Sequence, residues 1–274
     1  MGSKRGVSPT NKMFAWVRKQ SMKLKIGMII TVSLLALLVL KFTIKDQDHF
    51  FVASETVHFG GILILIHTLI KQKTCSGLSL KTQELTAIFL AVRLLCSLIL
   101  EADIHTVLDF STLVSTVWVI YMIRFKLKTT YMADMDDFPL YYLLVPAAGL
   151  AILVHPYLPF PLFGRILWAF CVYMESVSVL PQLRMMQKAK MIEPFTAHYV
   201  FALGISRFFG FAHLILQVYE TGGKYLFLIG AGYIWPPTVL LSEIVQTFIL
   251  ADFCYYYIKS VMSGHLLVSL QSPV

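Results

Sequence analysis

Two arginines, a glutamate and a histidine stand inside long apolar runs of this sequence: Arg93, Arg207, Glu175 and His58. A charged side chain at mid-membrane costs on the order of 2.5–3.5 kcal/mol by insertion scales, so such positions mark function or a partner. A guanidinium grips a carboxylate through two parallel N–H···O bonds. Arg93 and Arg207 therefore line a cavity for an anionic group, or they close intramembrane salt bridges with Glu175, Glu243 or Asp252. Both readings stay open at the level of sequence. Buried together, His58 and Glu175 would make a pH-responsive pair, because imidazole titrates near neutrality unaided. The alternative is a neutral histidine bonded to backbone or a hydroxyl. Glu243 and Asp252 are nine residues apart and fall on different helix faces, and Asp252 reads as structural. Trp118, Trp168 and the Tyr255–Tyr257 run suit packing or an interfacial belt.

These groups do not assemble a catalytic set. There is no activated nucleophile, no metal-ligand spacing and no phosphate-cradling loop, so the expectation is a protein that is not an enzyme and needs no cofactor or metal. Cys75, Cys96, Cys171 and Cys254 show no C-x-x-C spacing and read as small packing residues. A net charge of +8 raises the possibility of nucleic acid, but the basic residues sit in short clusters between apolar runs. That pattern excludes a nucleic-acid partner and points to membrane lipid.

The elements that must position the charges follow from composition. Only 14% of the 274 residues are charged and 57% are hydrophobic, with mean hydropathy +0.72. A soluble domain carries about a quarter charged residues. The apolar residues form runs at 26–44, 51–70, 84–101, 105–123, 138–156, 162–183, 196–218 and 235–258. A membrane helix needs about 20 such residues, so the sequence predicts an all-α integral membrane protein of eight transmembrane helices. The first run follows a basic segment but lacks a small-residue cleavage site, which makes it an uncleaved anchor. Alternate loops hold 17 lysines and arginines on one side against 3 on the other. Positive residues stay cytosolic, so both termini are expected in the cytosol. The predicted organisation is a basic cytosolic segment 1–25, an extra helix 26–44, a seven-helix domain 51–260 and a cytosolic tail 261–274.

An internal repeat supports this layout. Leu78-Ser79-Leu80-Lys81-Thr82 precedes Arg93, and 114 residues on Ile192-Glu193-Pro194-Phe195-Thr196 precedes Arg207 at the same spacing. The reading is two parallel three-helix units, spans 2–4 and 6–8, joined by span 5, with a site at their interface.

From His58 onward the chain resembles the ER lumen protein-retaining (KDEL/HDEL) receptors, in the form of the plant receptor-related proteins with an extra N-terminal helix. The residues that carry the resemblance are Cys75-Ser76-Gly77-Leu78-Ser79 with Lys81 and Gln83, Thr116 to Tyr121, and Leu144-Val145-Pro146. Further on come Ile166-Leu167-Trp168, Tyr173-Met174-Glu175-Ser176-Val177, Leu180-Pro181-Gln182-Leu183, His198 to Gly204, and Val245-Gln246-Thr247 with Asp252-Phe253. The resemblance implies a SWEET-like arrangement of two three-helix repeats plus a linker helix. It also implies a receptor of the ER and Golgi membranes that binds the C-terminal retention peptide of lumenal proteins in acid, releases it at neutral pH, and serves retrograde retrieval. Arg93, Trp168 and Arg207 would contact the ligand, Arg93 taking its carboxylate, and His58 with Glu175 would form the pH switch.

Other positions depart from the family pattern: Phe51 and Gln217 replace arginines, Leu94, Ser206 and Gly210 replace tyrosines, Cys96 replaces an aspartate, Leu214 a tryptophan, and Arg165 a glutamate. Losing a buried charge partner costs several kcal/mol, so these changes together are expected to abolish ordinary KDEL recognition and to divert specificity. The family's lysine-containing COPI signal is also missing after Lys259. Two further readings stand beside the receptor: a small-solute transporter on the SWEET-like fold, and a membrane adaptor that binds no ligand.

The topology has a direct check. An N-glycosylation acceptor engineered into the 221–224 loop should be modified in cells, whereas acceptors appended before Met1 or after Val274 should stay unmodified. Glycosylation of either appended acceptor would break the eight-span alternation.

Overall fold

The computed structural model describes residues 48–100, 104–157, 161–189, 194–224 and 234–263. The basic segment, the 26–44 run and the tail beyond 263 lie outside the described residues. All regular structure among the described residues is helical: α1 Asp48–Gln72, α2 Leu80–Leu100, α3 Ile104–Tyr121, α4 Tyr141–Leu153, α5 Leu162–Val177, α6 Leu180–Ala189, α7 Pro194–Glu220 and α8 Trp235–Ser263. A π-turn, Met122–Lys126, prolongs α3. Six stretches among the described residues are long and apolar enough to cross a membrane, with α5 and α6 counted as one.

Two of the expected spans take a different form. The 138–156 run yields only the 13-residue α4 with Pro146 inside it, roughly 20 Å of helix at 1.5 Å per residue, against a hydrocarbon core of about 30 Å. The 162–183 run is broken after Val177, where Pro181, lacking an N–H, opens the separate helix α6. Ser178 spans the break by donating its hydroxyl to the Glu175 carbonyl at 3.0 Å.

Polarity runs inside out. Ile99, Leu153 and Phe248 are 80%, 80% and 79% exposed, while Glu55, His58, Arg93 and Asp109 are buried. Water would penalise that exterior and lipid does not. Helices are then held by close packing and internal polar bonds rather than by a hydrophobic drive.

Helices α1 and α7 approach closely: a Cβ built on Gly61 would sit 2.9 Å from the Ala202 Cβ. In the contact pattern α3 lies between α1 and α2, and α8 lies between α5 and α7; the two groups meet through α1 against α7 and α2 against α5. Helices α2 and α7 begin 114 residues apart, and each carries its arginine thirteen residues in.

A polar clasp locks one end of the bundle. Ser79 caps α2, accepting from the Thr82 amide at 3.1 Å, while its own hydroxyl donates to Asp136 at 2.8 Å. Asp136 also accepts from the Lys81 amide at 3.2 Å and the Tyr131 hydroxyl at 2.7 Å. A carboxylate at the N-terminus of α2 is favoured by the helix dipole. Burial, and then the bond to Asp136, raises the pKa of the Tyr131 hydroxyl, which keeps it a donor. From α6, Gln182 accepts from the Ser79 amide and donates to the Gly77 carbonyl, both at 2.8 Å, and its backbone amide donates to Thr82 at 2.9 Å. Gly77 permits this turn because its φ is 75°. The stretches Cys75–Ser79 and Leu180–Leu183, far apart in sequence, are thus one structural unit.

Gly61→Val should force α1 off α7, since the facing Ala202 Cβ has no rotamer to retreat into. Overpacking of this kind costs about 1–3 kcal/mol, expected as a melting point lowered by about 2–9 °C. A thiol-reactive dye reads it, because Cys75, Cys96 and Cys171 are buried and reduced. An unchanged melting point would mean the contact does not limit packing.

Candidate functional site

The charges singled out by sequence converge. Arg93 on α2 reaches three acids from three other helices. Its Nε donates to Asp109 Oδ2 of α3 at 2.7 Å, and its Nη2 meets Asp109 Oδ1, making a bidentate pair. Its Nη1 donates to Glu175 Oε2 of α5 at 2.9 Å, and Glu55 Oε1 of α1 stands 3.8 Å from Nη2. The guanidinium also lies 5.7 Å over the Phe89 ring, a cation–π contact. The other oxygen of Glu175 accepts from Nη1 of Arg207 on α7. A single carboxylate therefore bridges two guanidiniums across the two groups of helices.

For both arginines the geometry is that of an intramembrane ion pair. The sequence named Glu175 among the candidate partners. Glu243 shares the site without pairing, and Asp252 is exposed elsewhere, on the wall of a groove of about 720 Å³. In that groove Arg184 and Lys188 pair with Asp137 at 3.6 and 2.6 Å, and the Lys188 bond holds the Asp137 carboxyl below its ordinary pKa.

His58 lies beside this network. It is 4% exposed, its Nε2 has no hydrogen-bond partner, and it borders two small cavities of about 10 and 30 Å³ that Glu175 and Arg207 also line. His58 and Glu175, the pair read from sequence as pH-responsive, face the same space with no hydrogen bond from the His58 Nε2 to the carboxylate. Trp168 is half-buried on α5, two turns before Glu175, and lines neither cavity.

Asp109, Glu55 and His105 were missed by the sequence reading. His105 Nδ1 lies 2.8 Å from Glu55 Oε2, and the Phe51 ring sits between His105 and His213 at centroid distances of 4.8 and 5.5 Å. The signal that found Arg93 was present for the acids too, since Glu55 and Asp109 each fall inside a predicted span. Each lies close to the start of its run, where a charge reads as interfacial. Ser54 and Ser206 bolt α1 to α7 nearby through reciprocal hydroxyl-to-carbonyl bonds of 2.7 and 2.8 Å.

Several departures from the family pattern cluster here: Phe51, Ser206 and Gly210 all line the 30 Å³ cavity. Cys96 and Leu214 are buried, and Arg165 lies 4.9 Å over the Tyr157 ring with its Nε buried and unbonded.

Chemically, the arrangement can exchange one carboxylate for another on a guanidinium and can take up a proton at an imidazole. Among the described residues no cluster of histidine, cysteine and acids has the makings of a metal site.

Comparison with known proteins agrees with the motifs. Residues 74–217 match the model of the ER lumen protein retaining receptor family. The chain is 34% identical over 215 residues to the ER lumen protein-retaining receptor erd-2.2 of Caenorhabditis elegans, covering 78% of this chain and 94% of that protein. It is 35% identical over 226 residues to ER lumen protein-retaining receptor 3 of Xenopus tropicalis, covering 82% and 99%, and 31% identical over 220 residues to the receptor of Dictyostelium discoideum, covering 78% and 95%. With nearly the whole length of these relatives aligned, the chain belongs to the ER lumen protein-retaining receptor family.

Proposed function

We propose that this protein is a peptide receptor of the ER–Golgi membranes that binds the C-terminal retention signal of lumenal proteins, or a diverged peptide C-terminus, for retrograde retrieval. The observation that carries this reading is one buried carboxylate, Glu175, shared by Arg93 and Arg207 with an unpartnered His58 beside it. An arriving peptide carboxylate takes the place of Glu175 on Arg93, so the guanidinium exchanges one anion for another and is never left bare. Arg207 steadies the same end of the peptide, and Trp168, on the helix of Glu175, offers an aromatic wall to its backbone. Glu175, once displaced, needs a positive partner, and a protonated His58 supplies it. The proton is therefore taken up with the ligand, and affinity rises as pH falls. This exchange makes an apo site filled by salt bridges compatible with an anion receptor.

The architecture proposed with it is eight transmembrane helices in multi-pass arrangement, both termini cytosolic, and two SWEET-like three-helix units. The α1–α3–α2 and α5–α8–α7 packing orders and the matched positions of Arg93 and Arg207 support the repeat. Relatives named as retention receptors support a binding protein over a solute transporter, a ligand-free adaptor or an enzyme. Coat recognition through a lysine-containing tail is not part of the proposal.

Purified protein should bind Lys-Asp-Glu-Leu or His-Asp-Glu-Leu peptides, or their diverged counterparts, more tightly at pH 5.5 than at pH 7.4. A one-proton linkage permits up to about tenfold per pH unit. C-terminal amidation and Arg93→Ala should each remove that binding. Equal affinity for amidated and free peptides would contradict the role given to Arg93.

A further inference from the structure

The charges around the 30 Å³ cavity do not balance. Three carboxylates, Glu55, Glu175 and Glu243, line it against two guanidiniums, Arg93 and Arg207. Both guanidiniums are already engaged, Arg93 by Asp109 and Glu175, and Arg207 by Glu175. Glu55 spends one oxygen on His105. Two buried acceptors make no hydrogen bond: Glu243 Oε2, and Glu55 Oε1, which has only the 3.8 Å contact to Arg93 Nη2. His58 Nε2, equally buried and unbonded, faces the same space.

Glu243 has room there because α7 is bare opposite it. A Cβ on Gly210 would meet Glu243 Oε2 at 3.7 Å and the Ser54 hydroxyl oxygen at 3.6 Å. The carboxylate lies against the glycine, and any long side chain at that position would collide with it. Surplus buried acceptors call for a group that only donates, and a primary ammonium brings three donors and no acceptor. A site holding one water needs about 10–15 Å³, so 30 Å³ admits a head group of ammonium size.

We propose that Glu243 and Glu55 hold a cationic group of the ligand, so that the chain selects peptide C-termini carrying a basic side chain over those carrying acidic ones. The inference rests on the receptor reading for its ligand, but the cation site stands on geometry of its own. An acidic side chain placed beside Glu243 and Glu55, rather than on the arginines, would add a like charge to the surplus acids, which is the repulsive half of the selection.

The full chain in detergent serves for two measurements. In the first, n-butylammonium chloride is added at pH 7.4, with sodium butyrate and sodium chloride as controls. The amine should raise the wild-type melting point by several degrees, as expected for a ligand well above its dissociation constant, and should not do so in Glu243→Gln. No amine effect in wild type, or an equal one in Glu243→Gln, overturns the cation site whatever the peptides do. In the second, free-carboxylate peptides with lysine or with glutamate in the two positions before an Ala-Leu end are compared. Lysine peptides should bind about tenfold tighter, a difference reduced toward one in Glu243→Gln; equal or reversed preference in wild type overturns the selectivity. Failure of every peptide to bind, with the amine effect intact, rejects the receptor reading and leaves the cation site in place.

Discussion

The bundle turns on the Glu175 carboxylate, which is held by two guanidiniums away from water. Each of its oxygens faces a different arginine, and each arginine comes from a different group of three helices. Removing one partner from a buried pair costs about 3–5 kcal/mol, because the other charge is left without compensation. Arg93 is protected against that loss by Asp109, which stays on it when Glu175 leaves. Among the described residues Arg207 has no second carboxylate bonded to it, so the Glu175–Arg207 contact is the one that a conformational change must replace. An interface built on such a shared charge is bistable rather than elastic.

The rest of the fold makes that joint possible. At one end the Ser79–Asp136–Gln182 clasp fixes α2 to α6 and so sets the height of Arg93 against Glu175 on the preceding helix. At the other, Gly61 and the Ser54–Ser206 exchange bring α1 against α7, placing His58 and Glu55 beside Arg207. Polar side chains thereby act as fasteners where lipid offers no hydrophobic drive. The turn at Ser178 ends α5 soon after Glu175 and lets the chain supply Gln182 to the clasp.

The sequence revealed the charges but not their pairing. Arg93, Arg207, Glu175 and His58 were legible because an ionisable group inside an apolar run is expensive enough to need a reason. Nothing one-dimensional says that Arg93 belongs chiefly to Asp109, sixteen residues on and across a helix turn, or that Glu175 serves two arginines. Glu55 and Asp109 met the same criterion near the starts of their runs and were passed over. The shortness of α4 and the break after Val177 were hidden for a different reason. Hydropathy counts apolar residues, whereas Pro139 and Pro156, which flank α4, and Pro181 act on backbone hydrogen bonds. The unbalanced cavity was out of reach altogether, since it depends on Gly210 lying opposite Glu243 across two helices.

If Glu175 competes with a ligand for Arg93, neutralising it should help the ligand. The decisive measurement is the affinity of Glu175→Gln for a free-carboxylate peptide across pH 5.5 to 7.4, beside wild type. The account predicts tight binding at pH 7.4 and a flat pH profile, because no displaced charge then needs a protonated His58. Loss of binding at every pH, in a variant that still melts cooperatively, would mean that Glu175 holds the arginines ready rather than guarding them, and would contradict the exchange.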